Sequence, residues 1–362
     1  MEHYHKVMDL NIELGVTVGK IDYDDLSRQY TVPIKSQDGG ERVVTPHHLV
    51  LATGLFSSTP ARPEFENEGF FTGQIYHSAS HKSASLIPDL GEKKVVLIGA
   101  GTSAHDIAQD FVSCGAKEVT MIQRSPMFVL STNALDKFVL AHWKLMPMED
   151  ADLLSTSLPF PIALTLMLGA TYMMAQHDTE LLSAVEKAGL AVKRGEDGIG
   201  LLHYQLIKAG HFYIDQGACE MIADGRIKIQ RSQEGAEGFD HNAVILGDGT
   251  RIEADIVVVA TGFKRCSDVA ESIMGKEFMA KVGQVGELDV EGERIGVSFK
   301  LLWCLGFVLT NFRLQWWRPA AVPGFWYMTG SFLWSRTYSK PLALQIKAIE
   351  EGLNREHYSS SK

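Results

Sequence analysis

Apolar residues follow two different spacings along this chain of 362 residues, and the first spacing is that of short β-strands. Gly39-Gly40 predicts a hairpin turn, and the apolar run at 48–52 predicts a buried strand that ends in small residues. A polar connection marked by Pro and Gly follows as far as residue 91. The other early stretches that favour strands are 14–21, 29–34 and 42–44.

The second spacing is helical, and it first appears between two predicted strands. Residues 93–98 form an apolar strand, residues 99–104 a glycine turn, and residues 104–114 have the spacing of a helix. A second strand at 118–123 ends at Arg124. Together these segments form a βαβ unit of about 30 residues. Within such a unit a glycine-rich turn is a strong indication of a binding site, whereas alone it is a weak one.

The rest of the chain is predicted to be helical over 130–205. Short strands follow at 212–214, 227–229, 243–246 and 255–259, and an amphipathic helix covers 338–353. No Asp, Glu, Lys or Arg lies between Asp152 and Asp178, and residues 158–175 are long enough to span a membrane. Because two prolines and several small or polar residues interrupt that run, we expect a buried or surface-packed helix pair and no membrane span.

Composition narrows the function classes. The net charge of −10 comes from 34 basic and 44 acidic residues without a block of like charge, which argues against a nucleic-acid partner. The four cysteines are isolated and form no C-x-x-C pair or zinc pattern, so we expect reduced thiols. No signal peptide is visible at the N-terminus. The expected location is therefore cytoplasmic.

The glycine turn carries the clearest chemistry. A dinucleotide pyrophosphate needs backbone N–H groups and the positive end of a helix, with no side chains in the way. The residues predicted to bind it are Gly99, Gly101, Thr102, Ser103 and Ala104, where Ala104 allows close packing of helix on strand. The alternative is a strand-to-helix turn that holds no ligand.

The end of the second strand predicts which nicotinamide cofactor fits. NAD sites place an acidic residue there, whereas an arginine suits the 2′-phosphate of NADP. Arg124 stands at this point with no acid between 120 and 128, so NADP is the predicted cofactor, the alternative being a solvated surface arginine.

Two Ala-Thr-Gly turns follow long strand-like runs. Alone each is a plain tight turn, but as a pair around the βαβ unit they favour cofactor contact. The predicted binding residues there are Ala52, Thr53, Gly54, Thr261 and Gly262.

In combination these segments resemble the flavin-containing monooxygenases. The similarity is to a soluble fungal and bacterial branch, which is also similar to plant indole-3-pyruvate monooxygenases, and it extends over nearly the whole chain. The residues that carry it are 51–54, 71–78, 95–106, 119–126, 211–215, 254–262, 324–327 and 335–339.

The resemblance implies an α/β fold with two dinucleotide-binding, Rossmann-like domains, the NADP domain being inserted in the FAD domain. The implied division is 1–90 for FAD-domain strands and linker, 91–262 for the NADP domain with a helical insertion, and 263–362 for the return to the FAD domain. In the family, NADPH reduces FAD and molecular oxygen adds to the flavin C4a. The hydroperoxide then transfers an oxygen atom to a small organic substrate.

The family motif F-x-G-x-x-x-H maps to Phe71, Gly73 and His77, and the aromatic residue that closes it is replaced by His81. The resemblance implies that His77 organises the link between the two domains. An equally weighted alternative is a structural histidine in a turn, and no residue is assigned as catalytic.

Two regions depart from the family. The first 51 residues contain no G-x-G-x-x-G turn for the ADP half of FAD, which predicts an incomplete FAD domain from a truncated gene model or from degeneration. Residues 297–315 have no family counterpart, and permissive codons suggest a retained intron. The alternative is a genuine buried insertion.

These departures leave a second function open, that of a non-catalytic NADP-binding remnant. A flavin disulfide reductase is a third possibility, but it would usually need a C-x-x-C pair, which the isolated cysteines argue against.

Overall fold

A computed structural model of the chain describes residues 2–54, 56–208, 210–282, 287–288, 294–295, 317, 320 and 322–353. The stretch 297–315, for which the sequence suggests a retained intron or a buried insertion, lies outside these residues. In chain order the strands are β1 (Val16–Val18), β2 (Asp22–Asp24), β3 (Gln29–Ser36), β4 (Glu41–Val44), β5 (Leu49–Leu51), β6 (Phe56–Pro60), β7 (Gln74–His77), β8 (Lys94–Ile98), β9 (Glu118–Gln123), β10 (Met127–Ser131), β11 (Val192–Lys193), β12 (Phe212–Asp215), β13 (Ile227–Arg231), β14 (Ala236–Asp240), β15 (Ala243–Leu246), β16 (Arg251–Glu253), β17 (Ile256–Val259), β18 (Phe263–Arg265), β19 (Glu287–Leu288), β20 (Arg294–Ile295) and β21 (Phe325–Tyr327).

The helices are concentrated between β10 and β12 and near the C-terminus. They are α1 (Glu2–Val7), α2 (Thr102–Ser113), α3 (Thr132–Phe138), α4 (His142–Leu145), α5 (Met148–Thr156), α6 (Phe160–His177), α7 (Thr179–Lys187), α8 (Leu201–Leu206), α9 (Ala218–Ala223), α10 (Cys266–Met274), α11 (Lys276–Val282) and α12 (Phe332–Glu350). The last helix begins six residues before the predicted start at 338, and it contains Pro341.

The chain divides into two compact units. The first unit is Met1–Ser57 together with Arg265–Lys362, and the inserted unit is Ser58–Lys264. The sequence predicts the first boundary at 90/91, whereas the inserted unit begins at Ser58. The reason is that β7, which precedes residue 91, pairs with β17 as an edge strand of the inserted unit's own sheet.

A five-stranded parallel sheet is the centre of the inserted unit, in the order β13-β9-β8-β17-β7. Its central strands are continuous apolar runs because a parallel sheet is covered on both faces. In β8, Val95 and Leu97 belong to the core on the α2 side, whereas Val96 and Ile98 belong to the opposite core with residues of β14 and β15. The predicted α/β class with parallel sheets is confirmed.

The segment between β9 and β13 is largely helical, as the sequence predicts for 130–205. It also contains a small parallel sheet, β11-β10-β12, of which the sequence analysis recognised only β12. The apolar run at 158–175 forms α6, which meets α5 at a bend of 106°. Among the described residues no single helix is long and apolar enough to cross a membrane, and this bent pair passes the same test by length and composition.

The first unit combines an antiparallel sheet with a parallel pair. Strands β1 and β2 both pair with β3, as does β4. Strand β5 pairs in parallel with β21, whose three residues Phe325, Trp326 and Tyr327 are fully buried. The early strands that the sequence predicts are therefore present, and the buried strand at its 48–52 run is β5.

Candidate nucleotide-binding site

The glycine turn joins β8 to α2, and its first glycine is required by close packing. Gly99 has a φ of 122°, and a Cβ at this position would lie 2.4 Å from the carbonyl oxygen of Ala260 at the end of β17. Its N–H donates to the Ile122 carbonyl at 3.1 Å, which ties the turn to β9. A side chain cannot be accommodated here without moving the backbone of the neighbouring strand.

The second glycine faces open space. A Cβ at Gly101 would meet no atom within 4 Å, and Gly101 is the N-cap residue of α2 without a side-chain cap. The first N–H groups of a helix have no partner within the helix. The turn therefore presents backbone donors and the positive end of a 12-residue helix to whatever approaches Gly101.

The three other predicted residues of this turn differ in their surroundings. Thr102 and Ser103 are exposed, and the Thr102 hydroxyl donates to the Phe212 carbonyl at 3.0 Å, which fastens α2 to β12. Ala104 is fully buried in the core shared by α2 and the sheet. Its small side chain permits the close contact of helix and strand that the sequence predicts.

His105 lies beneath the turn and was not singled out by the sequence. It is fully buried, its ring stacks on Tyr213 at 4.1 Å, and Nδ1 donates to the Gly101 carbonyl at 3.1 Å. Nε2 has no hydrogen-bond partner among the described residues. Burial lowers the pKa of His105 to about 4, so the ring is neutral and supports the N-cap residue through one hydrogen bond.

Arg124 follows β9 directly and is exposed. A Cβ built on Gly235 would lie 3.5 Å from the Cδ of Arg124, so the Arg124 side chain passes along the loop after β13. Among the described residues, no carboxylate forms an ion pair with the Arg124 guanidinium. The geometry leaves this cation available to an anion at the carboxyl end of β9.

Other basic side chains act on the same residue as Arg124, although the chain as a whole is acidic. His211, whose carbonyl accepts from Phe128 N–H at 2.8 Å, lies at the start of β12. Partial desolvation and the charges of Lys208, Lys193 and Arg124 lower the pKa of His211. Of these three cations, Lys193 is paired with Asp197, so Lys208 and Arg124 are the ones that favour an anion near His211.

Thr261 and Gly262 follow β17 and are held by hydrogen bonds within the inserted unit. The Thr261 hydroxyl donates to the Ala61 carbonyl at 2.7 Å, and the Gly262 carbonyl accepts from Ala61 N–H and from His77 Nε2, both at 3.0 Å. His77 is buried, and Nδ1 accepts from Ala79 N–H at 3.1 Å. Because burial lowers the pKa of His77, this ring is a neutral structural bridge between two strand ends.

His81, the residue at which the family motif departs, is part of a second network. Its Nδ1 accepts from the Tyr76 hydroxyl at 3.0 Å, and its Nε2 donates to Asp110 Oδ2 at 2.9 Å. Asp110 also accepts from Ala84 N–H at 2.6 Å. Burial acts to raise the pKa of Asp110, but these bonds outweigh it and the pKa is lowered. These hydrogen bonds anchor the C-terminal part of α2, at the far end of the helix from the glycine turn.

Ala52, Thr53 and Gly54 belong to the first unit, where they follow β5, and Gly54 has a φ of 85°. At the neighbouring end of β21, the Thr329 Oγ1 is buried without a hydrogen-bond partner in the described part of the chain, and the Tyr327 hydroxyl is buried beside Cys266 and Thr53. Burial, with the nearby Cys266 thiol, raises the pKa of Tyr327. Of these two side chains, Thr329 has a polar atom with unused hydrogen-bonding capacity.

The first unit contains one strand–turn–helix junction in its described residues. A turn at Gly330 leads from β21 into α12, whose first turn has no side-chain cap. In residues 2–54, 266–282 and 322–353 this is the sole place where a parallel strand runs through a glycine turn into a helix. A second such turn, which the ADP half of FAD requires, is not found in these ranges.

Neither metal nor disulfide chemistry has a site in the described ranges. They hold no group of three or more His, Cys, Asp or Glu side chains that could bind a metal ion. Cys114, Cys219 and Cys266 are free thiols. Burial raises the pKa of Cys114 and of Cys219, which disfavours the reactive thiolate that a disulfide reductase would need.

Fold and turn together define a class, that of α/β proteins with a Rossmann-like fold. Comparisons with known proteins narrow it. Residues 4–144 match the family model described as pyridine nucleotide-disulphide oxidoreductase. The chain is 26% identical over 286 residues to a probable indole-3-pyruvate monooxygenase, YUCCA8, of Arabidopsis thaliana, covering 78% of the chain and 60% of that protein. It is 26% identical over 264 residues to a probable FAD-binding monooxygenase, AlmA, of an Acinetobacter species, covering 70% and 50%.

Solved structures agree on the fold. Cyclohexanone monooxygenase with bound epsilon-caprolactone has a TM-score of 0.52 at 17% identity, covering 75% of this chain and 58% of that one. The flavin monooxygenase of Stenotrophomonas maltophilia has a TM-score of 0.50 at 14% identity, covering 97% and 75%. At these identities the structures establish the shared fold alone.

The chain is thus a relative of the flavin monooxygenases, as the sequence predicts. It spans half to three fifths of the length of the first curated relatives it matches.

Proposed function

We propose that the inserted unit binds NADP(H) at the turn formed by Gly99, Gly101 and the N-terminus of α2. The observation that supports this most is the combination of an uncapped helix N-terminus with a glycine whose missing side chain leaves open space. The first-turn N–H groups would bind the pyrophosphate. Arg124 would bind the 2′-phosphate through charge-assisted hydrogen bonds.

We further propose that the protein to which this chain belongs is an NADPH- and FAD-dependent monooxygenase that acts on a small organic substrate and molecular oxygen. The names of the relatives, an indole-3-pyruvate monooxygenase and an FAD-binding monooxygenase, support this class. When bound, FAD would accept a hydride from NADPH and activate oxygen. The described residues of this chain would hold the nicotinamide dinucleotide and keep its phosphates fixed.

A second candidate function is the non-catalytic NADP-binding remnant that the sequence leaves open. In that case the chain is an NADP-binding protein without flavin chemistry. Ala52, Thr53, Gly54, Thr261 and Gly262 would then serve as structural turns.

The absorbance of the purified chain separates the two functions. An oxidised flavin absorbs at roughly 350–500 nm. An absorbance band in this range that NADPH bleaches under anaerobic conditions supports the monooxygenase. A colourless protein that binds NADPH supports the remnant. A protein that binds neither nucleotide refutes both.

A further inference from the structure

Helix α6 leaves one of its faces exposed, and that face is apolar. The opposite face packs in the core of the inserted unit through residues such as Met174 and Ala175. An apolar patch that stays uncovered on a folded protein marks a contact site for another surface. Four large apolar side chains on the exposed face are 41–58% exposed: Ile162, Leu166, Tyr172 and Met173.

The exposed face has the spacing of a helix–helix seam. Its central residues follow one another at intervals of four, three and four positions, which places them in one line along the helix: Ile162, Leu166, Gly169 and Met173. Gly169 is exposed, and a Cβ at this position would meet no atom within 4 Å. A glycine inside a helix costs about 1 kcal/mol relative to alanine. The line therefore contains a gap between large side chains, and an apolar side chain from outside fits it.

Two hydroxyls on this face are already bonded within the chain. The Thr165 hydroxyl donates to the Pro161 carbonyl at 3.0 Å, and the Tyr172 hydroxyl donates to the Gly195 carbonyl at 2.8 Å. Burying a hydroxyl without a partner costs free energy, whereas these two keep their partners when water is removed. Another surface can therefore cover the face at little polar cost.

Charge decides between the two surfaces that could cover this face, a membrane and a protein. No Asp, Glu, Lys or Arg lies between Asp152 and Asp178, and α5 begins with the exposed Glu149 and Asp150. Helices that lie on membranes carry Lys and Arg toward the lipid headgroups, an attraction that α5 and α6 lack. Two copies of a chain with a net charge of −10 repel each other least where charge is absent. The charge-free face therefore favours a second copy of this chain.

The segment just before α6 also exposes apolar surface. Four large apolar residues of α4 and α5 are 50–81% exposed: Leu145, Met148, Leu153 and Leu154. If a fully exposed side chain of this size counts about 200 Å², these residues and the four of α6 present roughly 900 Å². A protein–protein interface of standard size buries about 800 Å² on each partner. The exposed apolar surface of these helices is thus sufficient for a stable dimer.

We propose that two copies of this chain associate through the exposed face of α6, with the two helices antiparallel about a two-fold axis between residues 167 and 168. In an isologous contact the same residues meet with their roles exchanged. Leu166 of each copy then lies against Gly169 of the other copy, and Ile162 lies against Met173. The gap at Gly169 is filled by a side chain of the same face, which is the self-complementarity that a two-fold contact requires.

The test measures the mass of the purified full chain by sedimentation equilibrium at about 1–100 µM. The parent should reach twice its mass of 40.0 kDa, with a dissociation constant in the micromolar range or tighter. Leu166→Glu should raise this constant at least about a hundredfold, because it buries two carboxylates near the axis. Leu86→Glu is the matched control, since Leu86 is also an exposed leucine of the inserted unit but lies outside α4–α6. It should leave the constant unchanged.

Two further variants test the antiparallel register. Gly169→Leu should raise the dissociation constant at least about tenfold, because two leucines then meet where one fits, although the new Cβ meets no atom of its own chain within 4 Å. Adding Leu166→Gly to Gly169→Leu exchanges the side chain and the gap. This double variant should regain most of the lost affinity, and circular dichroism checks that each variant is folded.

A parent chain that stays at 40.0 kDa up to about 100 µM overturns the proposal, as does a dimer that Leu166→Glu and Gly169→Leu leave intact. A monomer that binds phosphatidylcholine vesicles through Leu166 assigns the face to a membrane and overturns it equally. If the double variant does not restore the dimer, the antiparallel contact is wrong. NADPH affinity should be the same in parent and variants, so failure of the dimer and failure of the proposed NADP(H) site are separate results.

Discussion

His105 gives a pH dependence that can be worked out from the structure. The neutral ring is buried against Tyr213 and donates to Gly101, the N-cap residue of α2. Its pKa is lowered from 6.5 to about 4, so the unfolded chain binds this proton more readily than the folded chain does. The free energy of unfolding is therefore unaffected above pH 6.5 and falls as the pH drops from there to about 4.

The size of the effect follows from these two values. Between pH 7 and pH 5, protonation of His105 alone lowers the free energy of unfolding by about 2 kcal/mol. His105→Phe keeps a ring against Tyr213 and cannot take up a proton. It loses the bond to Gly101, so at pH 7 we expect a loss of about 1 kcal/mol.

Urea unfolding at pH 7 and at pH 5, followed by circular dichroism, measures the difference. Other titrating groups contribute equally to parent and variant when they lie apart from His105. The parent should lose about 2 kcal/mol more than His105→Phe between the two pH values. If parent and variant lose the same free energy, the ring is not a buried neutral group and the account of the turn is wrong.

Three further substitutions test the turn and its support. Gly99→Ala should destabilise the inserted unit by about 2–4 kcal/mol in thermal or urea unfolding, because the new Cβ would meet the Ala260 carbonyl at 2.4 Å; unchanged stability would contradict that packing. Gly101→Ala, whose Cβ meets no protein atom within 4 Å, should keep the stability but lower NADPH affinity in a fluorescence titration, and unimpaired binding would place the pyrophosphate elsewhere. Asp110→Asn should cost about 1–2 kcal/mol at pH 7 through weaker bonds from Ala84 and His81. Because the pKa of Asp110 is lowered, that difference should disappear as the pH falls through the folded-state pKa, and a difference that persists in acid would contradict the charge-based account.

Local chemistry made the glycine turn predictable. Gly99 and Gly101 stand between an apolar strand and a helix, and those patterns are set by residues close in sequence. The boundary at Ser58 was not predictable in that way, because it depends on β7 pairing with β17 across about half of the chain. The small strands β10 and β11 were also missed: β10 runs into the stretch 130–205, where helical spacing dominates, and the two residues of β11 lie inside it.

The supporting residues of the site were missed for a related reason. His105 and Gln123 are polar residues in a helix and at a strand end, where the sequence alone favours exposure. Both are fully buried because residues distant in sequence pack on them or bond to them: the Tyr213 ring stacks on His105, and the Ala191 backbone forms two hydrogen bonds with Gln123.

The central claim is that the turn at Gly99–Gly101 and Arg124 form one NADP(H) site. The most direct test is the ratio of dissociation constants for NADPH and NADH, measured by calorimetry on the parent chain and on Arg124→Ala. Charge-assisted hydrogen bonds to the 2′-phosphate should make NADPH bind about 10- to 100-fold more tightly to the parent, and the ratio should fall close to one in the variant. Equal affinities for the two dinucleotides in the parent chain would contradict the account.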